Sequence, residues 1–505
     1  MKRLFLQEII RKTVVFLLSV LMIINGMMVF SSAASYRMED ILGVYEGYYY
    51  ATQGQTGVTL TVYEEDQEVK AIFEFYNLPN RTNAKEGSYY MTVSVKEDGS
   101  FYFKAGSWIE HPSNYLTLDV NASLNGYVLS GTVTTSGQNT FYAEKANHAY
   151  NEVKDNIFND HRYQVVDEGM TWTEAEAYAH ERGGYLTVIT SQEEQDYVEN
   201  LIRNGNKLQY WIGGYRTKNG SMAWVTGEEF DYRHFIEGEP DNYLGCETAL
   251  QMLRVENPRN ASSNQGEWND APDDNVIPGE EDYFSLNNVG FVIEYGVWSD
   301  ASQWADDELE DAYEKGLIPD VLIGKDLDQP ITRGEFAAVA DKLYQELSGN
   351  RMIIAMNAPF TDIYETAERL YILKAFNYQI VNGTSLTTYD PDDLLTREQM
   401  ATMLTRVYKK YVWADYSIDE DIRYPLQFTR GQKFVDDALI SSYAYESVYF
   451  MAANHIINGM GDNRFAPRNT TSAESAAKYA NATREQALII SSRTMDQLGI
   501  SSEAS

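Results

Sequence analysis

Thr332-Arg333-Gly334-Glu335, Thr396-Arg397-Glu398-Gln399 and Thr483-Arg484-Glu485-Gln486 repeat one pattern ahead of an apolar run. Each follows an aromatic-x-aspartate start: Trp298-Ser299-Asp300, Phe360-Thr361-Asp362 and Phe434-Val435-Asp436. Three copies in one internal order predict a repeat architecture, in which neighbouring units must stack to build a core. The third copy carries extra residues between Pro467 and Thr483. Two positions of the pattern predict helix starts: the threonine caps the first turn, and the glutamate or glutamine three residues on reaches back. The arginine is not explained by capping, because a cation in the first turn opposes the helix dipole. Its return in every copy points to an anion held by guanidinium and free N–H groups, or to a pair with a neighbouring carboxylate.

Ahead of the repeats the periodicity changes. From about Ile41 to Ala146 apolar residues alternate, as at Val58, Leu60 and Val62, at Ala71, Phe73 and Phe75, and at Leu116, Leu118 and Val120. Asp98-Gly99 and Asn125-Gly126 supply hairpin turns, which predicts a small sandwich or barrel. From about Asn147 to Gly296 the pattern is mixed. Thr171-Trp172-Thr173-Glu174 and Ser191-Gln192-Glu193-Glu194 read as capping boxes opening two helices, with a strand at Tyr185–Ile189 between them. Further strands are expected at Tyr210–Gly214 and Gly290–Tyr295.

The first residues read as an export signal. Lys2, Arg3, Arg11 and Lys12 precede an apolar run from Thr13 to Phe30 and the small residues Ser31 to Ser35, predicting cleavage near Ala33 or Ala34. No cysteine stands there to take a lipid, and the C-terminus has no hydrophobic sorting segment, so non-covalent retention at a surface is expected. The formal net charge is −35, which excludes nucleic acid as a natural partner and calls for local cationic sites or bound metal in any attachment to an anionic wall. Cys246 is the one cysteine, so no intrachain disulfide forms.

Glu239-Pro240-Asp241, Glu247 and Asn269-Asp270 gather five oxygen-bearing side chains. A cis bond before Pro240 lets both flanking carboxylates face one point. Five such oxygens suit calcium, with positions left for water or ligand, and the lack of a His or Cys cluster argues against zinc.

Two resemblances extend this reading. The segment carrying Trp172, Trp211-Ile212-Gly213-Gly214, Trp224, Glu239-Pro240-Asp241, Glu247, Trp268-Asn269-Asp270 and Phe291-Val292-Ile293-Glu294 resembles a C-type lectin-like domain. The resemblance implies calcium on Glu239, Asp241, Glu247, Asn269 and Asp270, with vicinal sugar hydroxyls completing the shell. The family's usual cysteines are missing, and an insertion separates Asp270 from Gly290. Glu-Pro-Asp stands where mannose readers have Glu-Pro-Asn and galactose readers Gln-Pro-Asp; two carboxylates supply acceptors only, so sugar selectivity does not follow. Residues from about Trp298 to Ser492 resemble S-layer homology repeats, whose motif is Thr-Arg-Ala-Glu. That implies a pseudo-threefold helical unit binding secondary cell-wall polysaccharide, often pyruvylated, through Arg333, Arg397 and Arg484.

The expected fold is therefore multidomain: a signal peptide over 1–34, an all-β module over 41–146, an α+β C-type lectin-like domain over 147–296, and all-α repeats over 297–359, 360–433 and 434–492. The expected function is an exported surface protein on the wall of a Gram-positive-type bacterium, presenting a calcium-dependent carbohydrate-binding module. The alternative is a structural surface-layer component whose lectin-like fold contacts protein. No nucleophile with a base, paired-carboxylate cleft or phosphate loop stands out, and the scattered His161, His180 and His234 read as structural, so no enzyme is expected.

Overall fold

The computed structural model describes residues 38–65, 68–78, 85–134, 139–257, 263–354 and 358–498; the expected signal peptide lies outside them. The chain divides into two compact units, with a boundary between Lys145 and Ala146.

In the first unit, strands β1 (Gly43–Ala51), β2 (Gly54–Glu65), β3 (Glu68–Tyr76), β4 (Gly87–Val95), β5 (Phe101–Glu110), β6 (Val120–Asn125), β7 (Val128–Val133) and β8 (Thr140–Lys145) follow one another as sheet neighbours. β8 pairs back onto β1, from Tyr45–Lys145 to Tyr49–Phe141, which closes a barrel rather than a sandwich. Val58, Leu60, Val62, Ala71, Phe73 and Phe75 all point into its core, as the alternation predicts. At the closing seam Gly47 is required, since a Cβ there would lie 2.1 Å from the Tyr142 carbonyl oxygen. The strand expected around Leu116 does not form. The strand begins only at Val120, and Leu116 is 86% exposed on the preceding loop, because the local alternation is not matched by a pairing partner.

The second unit opens with helix α1 (His148–Asp155) and strands β9 (Ile157–Phe158) and β10 (His161–Val166), followed by α2 (Trp172–His180), β11 (Tyr185–Leu186), α3 (Gln192–Ile202), β12 (Gln209–Arg216) and β13 (Met222–Trp224). β14 (Ala249–Leu253), β15 (Trp268–Ala271) and β16 (Val289–Tyr295) complete a sheet of order β15-β14-β12-β16-β10-β9, with β12 and β16 parallel. Trp211, Trp224 and Trp268 are essentially fully buried in its two cores. Thr171 makes the expected capping box with Glu174. The second box is only half formed: Ser191 caps the amide of Glu194, but the Glu194 carboxylate turns to Thr190 and to the Tyr163 hydroxyl. The strand expected over 185–189 is reduced to Tyr185–Leu186, since Thr187 and Val188 bind the buried Glu294 carboxylate.

Beyond it, β17 (Trp298–Asp300) pairs with β18 (Lys325–Asp326), and α4 (Asp306–Glu314), α5 (Arg333–Ser348), α6 (Arg369–Asn377), α7 (Arg397–Val412), α8 (Tyr445–Ala453), α9 (Ser472–Ala476) and α10 (Arg484–Leu498) form the helical region. Its organising feature is a closed ring of backbone hydrogen bonds. Ile331 N–H donates to Ala482 O (2.9 Å), Ala482 N–H to Leu395 O (3.0 Å), and Leu395 N–H to Ile331 O (3.0 Å). All three residues are fully buried, and each lies just ahead of a motif threonine or arginine. Thr332 and Thr396 form complete capping boxes. The third is partial, because the Gln486 side chain instead accepts from Arg397. The extra residues of the third copy fold back on themselves through α9 and a hydrogen bond from Ala480 N–H to Asn469 Oδ1, so Thr483 keeps its place beside the ring.

The mixed and helical regions share one compact unit. Asn147 Nδ2 donates to Thr366 O (2.6 Å), Arg162 Nη2 donates to Gly324 O (3.2 Å), and Tyr150 packs edge-on against Tyr371.

Candidate functional sites

The acidic site forms where the β12 and β15 strand ends meet the loop from Gly238 to Glu247. The Glu239–Pro240 bond is cis, and one carboxylate oxygen from each of Glu239, Asp241 and Asp270 falls within 4.8 Å of the others. Glu247 is buried beside them, accepting from the Tyr243 amide (2.5 Å). Asn269 is nearly buried, and its amide nitrogen donates to Asp270 O (2.5 Å). Burial, then repulsion from Asp241 and Asp270, pushes the Glu239 carboxyl up to about 7. Burial and then Asp270 push Glu247 up to about 8. Carboxylates crowded this way resist ionising together unless a cation joins them.

A divalent cation fits this donor set. The ligands are hard oxygens, and Asp270 Oδ1 is buried without a hydrogen-bond partner, an arrangement that costs free energy unless something positive binds it. One neighbour was not foreseen from sequence. Arg216, at the end of β12, pairs with Asp270 Oδ2 and donates to the carbonyls of Glu247 (2.9 Å) and Gly220 (3.1 Å). Nothing in the sequence marks it, since 54 residues separate the pair. The insertion between Asp270 and Gly290 lies elsewhere. Ile277, Tyr283 and Phe284 pack on Leu208, and Asn275 bonds Gln209, at the opposite end of β12 from Arg216.

The three motif arginines are placed in the same way but end differently. Arg333, 8% exposed, donates through Nε to Tyr389 O (3.0 Å) and through Nη2 to Asn382 O (3.1 Å). Arg397, 4% exposed, does the same toward Phe465 O (3.0 Å) and Asn458 O (2.8 Å). Each thus reaches from its own helix into the following copy and meets carbonyl dipoles. Burial pulls the Arg397 guanidinium down to about 10. Arg484 instead donates to the Glu335 carboxylate at 3.0 and 2.8 Å. Burial works to raise Glu335, but Arg484 and Lys325 outweigh it and hold it below the usual carboxylate range. The structure therefore gives Arg484 the neighbouring-carboxylate pairing that the motif left open.

Arg333 also lines a cavity of about 260 Å³ with Asn382, Gly383, Arg406 and Tyr443. Among the described residues its walls hold two guanidinium groups and no carboxylate. In a chain of net charge −35, that composition is chemically suited to an anion.

Residues 168–278 match the family model for the lectin C-type domain, so the mixed region carries a C-type lectin domain. Mouse asialoglycoprotein receptor 2 is 36% identical over 87 residues, which is 17% of this chain and 28% of that receptor. A lectin of Pleurodeles waltl is 28% identical over 165 residues, 31% of this chain and 91% of the lectin. The crystal structure of the cow CD23 C-type carbohydrate-recognition domain, solved in the presence of GlcNAc2Man3 oligosaccharide, shares 24% identity with a TM-score of 0.21 and covers 27% of this chain and 88% of that one.

Residues 359–401 and 433–477 match the S-layer homology domain model, so the chain carries an S-layer homology region beside its C-type lectin domain. The two domain types make it a surface lectin-like protein, and neither belongs to an enzyme family.

Proposed function

We propose that this protein is held non-covalently on the cell wall through its helical repeats and presents a calcium-dependent carbohydrate-binding site. The observation that carries the second half is the Glu239, Asp241 and Asp270 cluster with its partnerless Asp270 Oδ1. Calcium bound there supplies positive charge and open coordination positions for saccharide hydroxyls. The chain's own contribution is to fix the oxygens: Asp241 N–H donates to Glu239 Oε2 (3.0 Å), Asn242 N–H donates to Asp270 Oδ2 (3.1 Å), and β15 holds Asn269 and Asp270 side by side.

The first half is supported by the groove around Arg333 and Arg406, whose described walls hold no carboxylate. A wall polysaccharide bearing carboxylates, such as a pyruvylated one, suits it through charge-assisted hydrogen bonds. Arg397 offers a second guanidinium with only neutral partners, and two weak sites on one polymer gain by avidity. Arg484 is assigned to holding the repeats together.

The experiment loads the full chain on purified wall sacculi, washes, and offers glycan-coated particles in calcium or EDTA. Capture in calcium alone, lost in Asn269→Ala, is the expected result. Exposed Tyr243 and Leu244 beside the acidic cluster give the competing reading, protein contact, its surface. Capture of protein-coated but not glycan-coated particles, indifferent to EDTA, would establish that reading instead.

A further inference from the structure

The barrel has two unlike ends. At one, Asp98-Gly99 and Asn125-Gly126 make tight hairpins, and Ile41, fully buried, plugs the core with Met38 and Leu42 packed around it. At the other, the β1–β2 turn and the long β5–β6 connection surround a cavity of about 410 Å³. That volume lies within the roughly 300–1,000 Å³ of small-molecule sites.

Its described walls combine aromatic and polar side chains with the aliphatic Leu116 and Leu118. Tyr49, Phe75, Tyr89 and Tyr115 present aromatic surface, with Tyr115 stacked on Phe75 at 5.4 Å and 12°. Thr52, Gln53, Asn114 and Thr117 present amide and hydroxyl groups, and among the described lining residues no side chain is charged. The β5–β6 connection is held in place as a wall. The Tyr89 hydroxyl donates to Leu118 O (3.0 Å) and accepts from Leu118 N–H (3.2 Å), while the Tyr115 hydroxyl accepts from Lys85 N–H (2.9 Å). Gln53 Nε2 donates to the Tyr49 hydroxyl (3.2 Å), which fixes the amide at the rim.

We infer that this cavity is a second, metal-independent saccharide site that takes an uncharged sugar. A charged ligand would find no counter-charge among the described lining residues. A wholly apolar ligand would strip water from Gln53, Asn114 and the threonines without replacing its hydrogen bonds. A pyranose meets both demands, laying its C–H face on an aromatic ring while its hydroxyls bond amides. The site owes nothing to the acidic cluster of the lectin domain, so the two are separable by chelation.

The test uses the full chain in EDTA, which silences any metal-dependent site. Calorimetry against a panel of neutral gluco-, manno-, galacto- and N-acetylated oligosaccharides should find at least one binder. Gln53→Ala and Tyr115→Ala should each weaken it by about tenfold, the effect of losing one buried hydrogen bond or one stacked ring. Asn269→Ala should leave it unchanged. Gln53→Ala sits on a surface turn and keeps the test open if Tyr115→Ala fails to fold. No saccharide bound in EDTA, binding undiminished in Gln53→Ala, or occupancy by anilinonaphthalene sulfonate alone would overturn the assignment.

Discussion

Replacing the three motif arginines one at a time should separate two roles that the sequence gives to one position. Arg484→Ala strands Glu335, which is 2% exposed, with Lys325 as its remaining cation at 2.8 Å. Breaking a buried ion pair costs about 3–5 kcal/mol, and the retained lysine trims this to about 2–3 kcal/mol. Arg397→Ala leaves the carbonyls of Phe465 and Asn458 without their donor, at about 1–3 kcal/mol each. It also removes a buried cation whose depression to about 10 reflects roughly 3 kcal/mol of charge-burial cost. The terms nearly cancel, so the net change is about 1 kcal/mol. Guanidinium chloride unfolding followed by circular dichroism reads the first number, and co-sedimentation with sacculi reads the second role. Arg484→Ala should lower the unfolding midpoint and, where folded, still bind sacculi. Arg397→Ala should move the midpoint little and weaken sacculus binding, and adding Arg333→Ala should abolish that binding. If all three substitutions shift stability equally, or the double variant binds as well as the parent, the division of labour is wrong.

The acidic cluster sets a pH dependence: Glu239 near 7 and Glu247 near 8 hold protons in the folded, metal-free protein that the unfolded chain has already released. Stability in EDTA should therefore fall as pH rises from about 5 to 8, a trend that calcium flattens; thermal melts at both pH values check it. Arg216→Gln removes a positive charge beside the metal oxygens and should tighten calcium about tenfold in a calorimetric titration, with an unchanged Kd counting against the pairing. Ile331→Pro deletes one donor of the backbone ring and should cost about 3 kcal/mol or more together with sacculus binding, whereas a proline tolerated there would show that the ring is dispensable.

Features written locally were the ones legible in sequence. Period-two alternation placed the barrel strands, and threonine three residues before glutamate or glutamine placed the starts of α2, α5 and α7. Glu-Pro-Asp and Asn-Asp located most of the acidic site. Partners far apart in the chain were not legible. Arg216 meets Asp270 only because β12 and β15 flank β14, and Arg484 meets Glu335 only because the repeats close a ring. Leu116 misled for the complementary reason: alternation marks a strand only where a neighbouring strand is present to pair. The joining of the lectin and repeat regions through Asn147, Arg162 and Tyr150 rests on polar and aromatic side chains that carry no signature of an interface.

A crystal of the full chain grown in calcium chloride, with anomalous differences recorded, tests the central claim most directly. A peak about 2.3–2.6 Å from oxygens of Glu239, Asp241 and Asp270, with Oδ1 of Asp270 among them, is the expected result. A map with no peak, and Asp270 engaged by Arg216 alone, would contradict it.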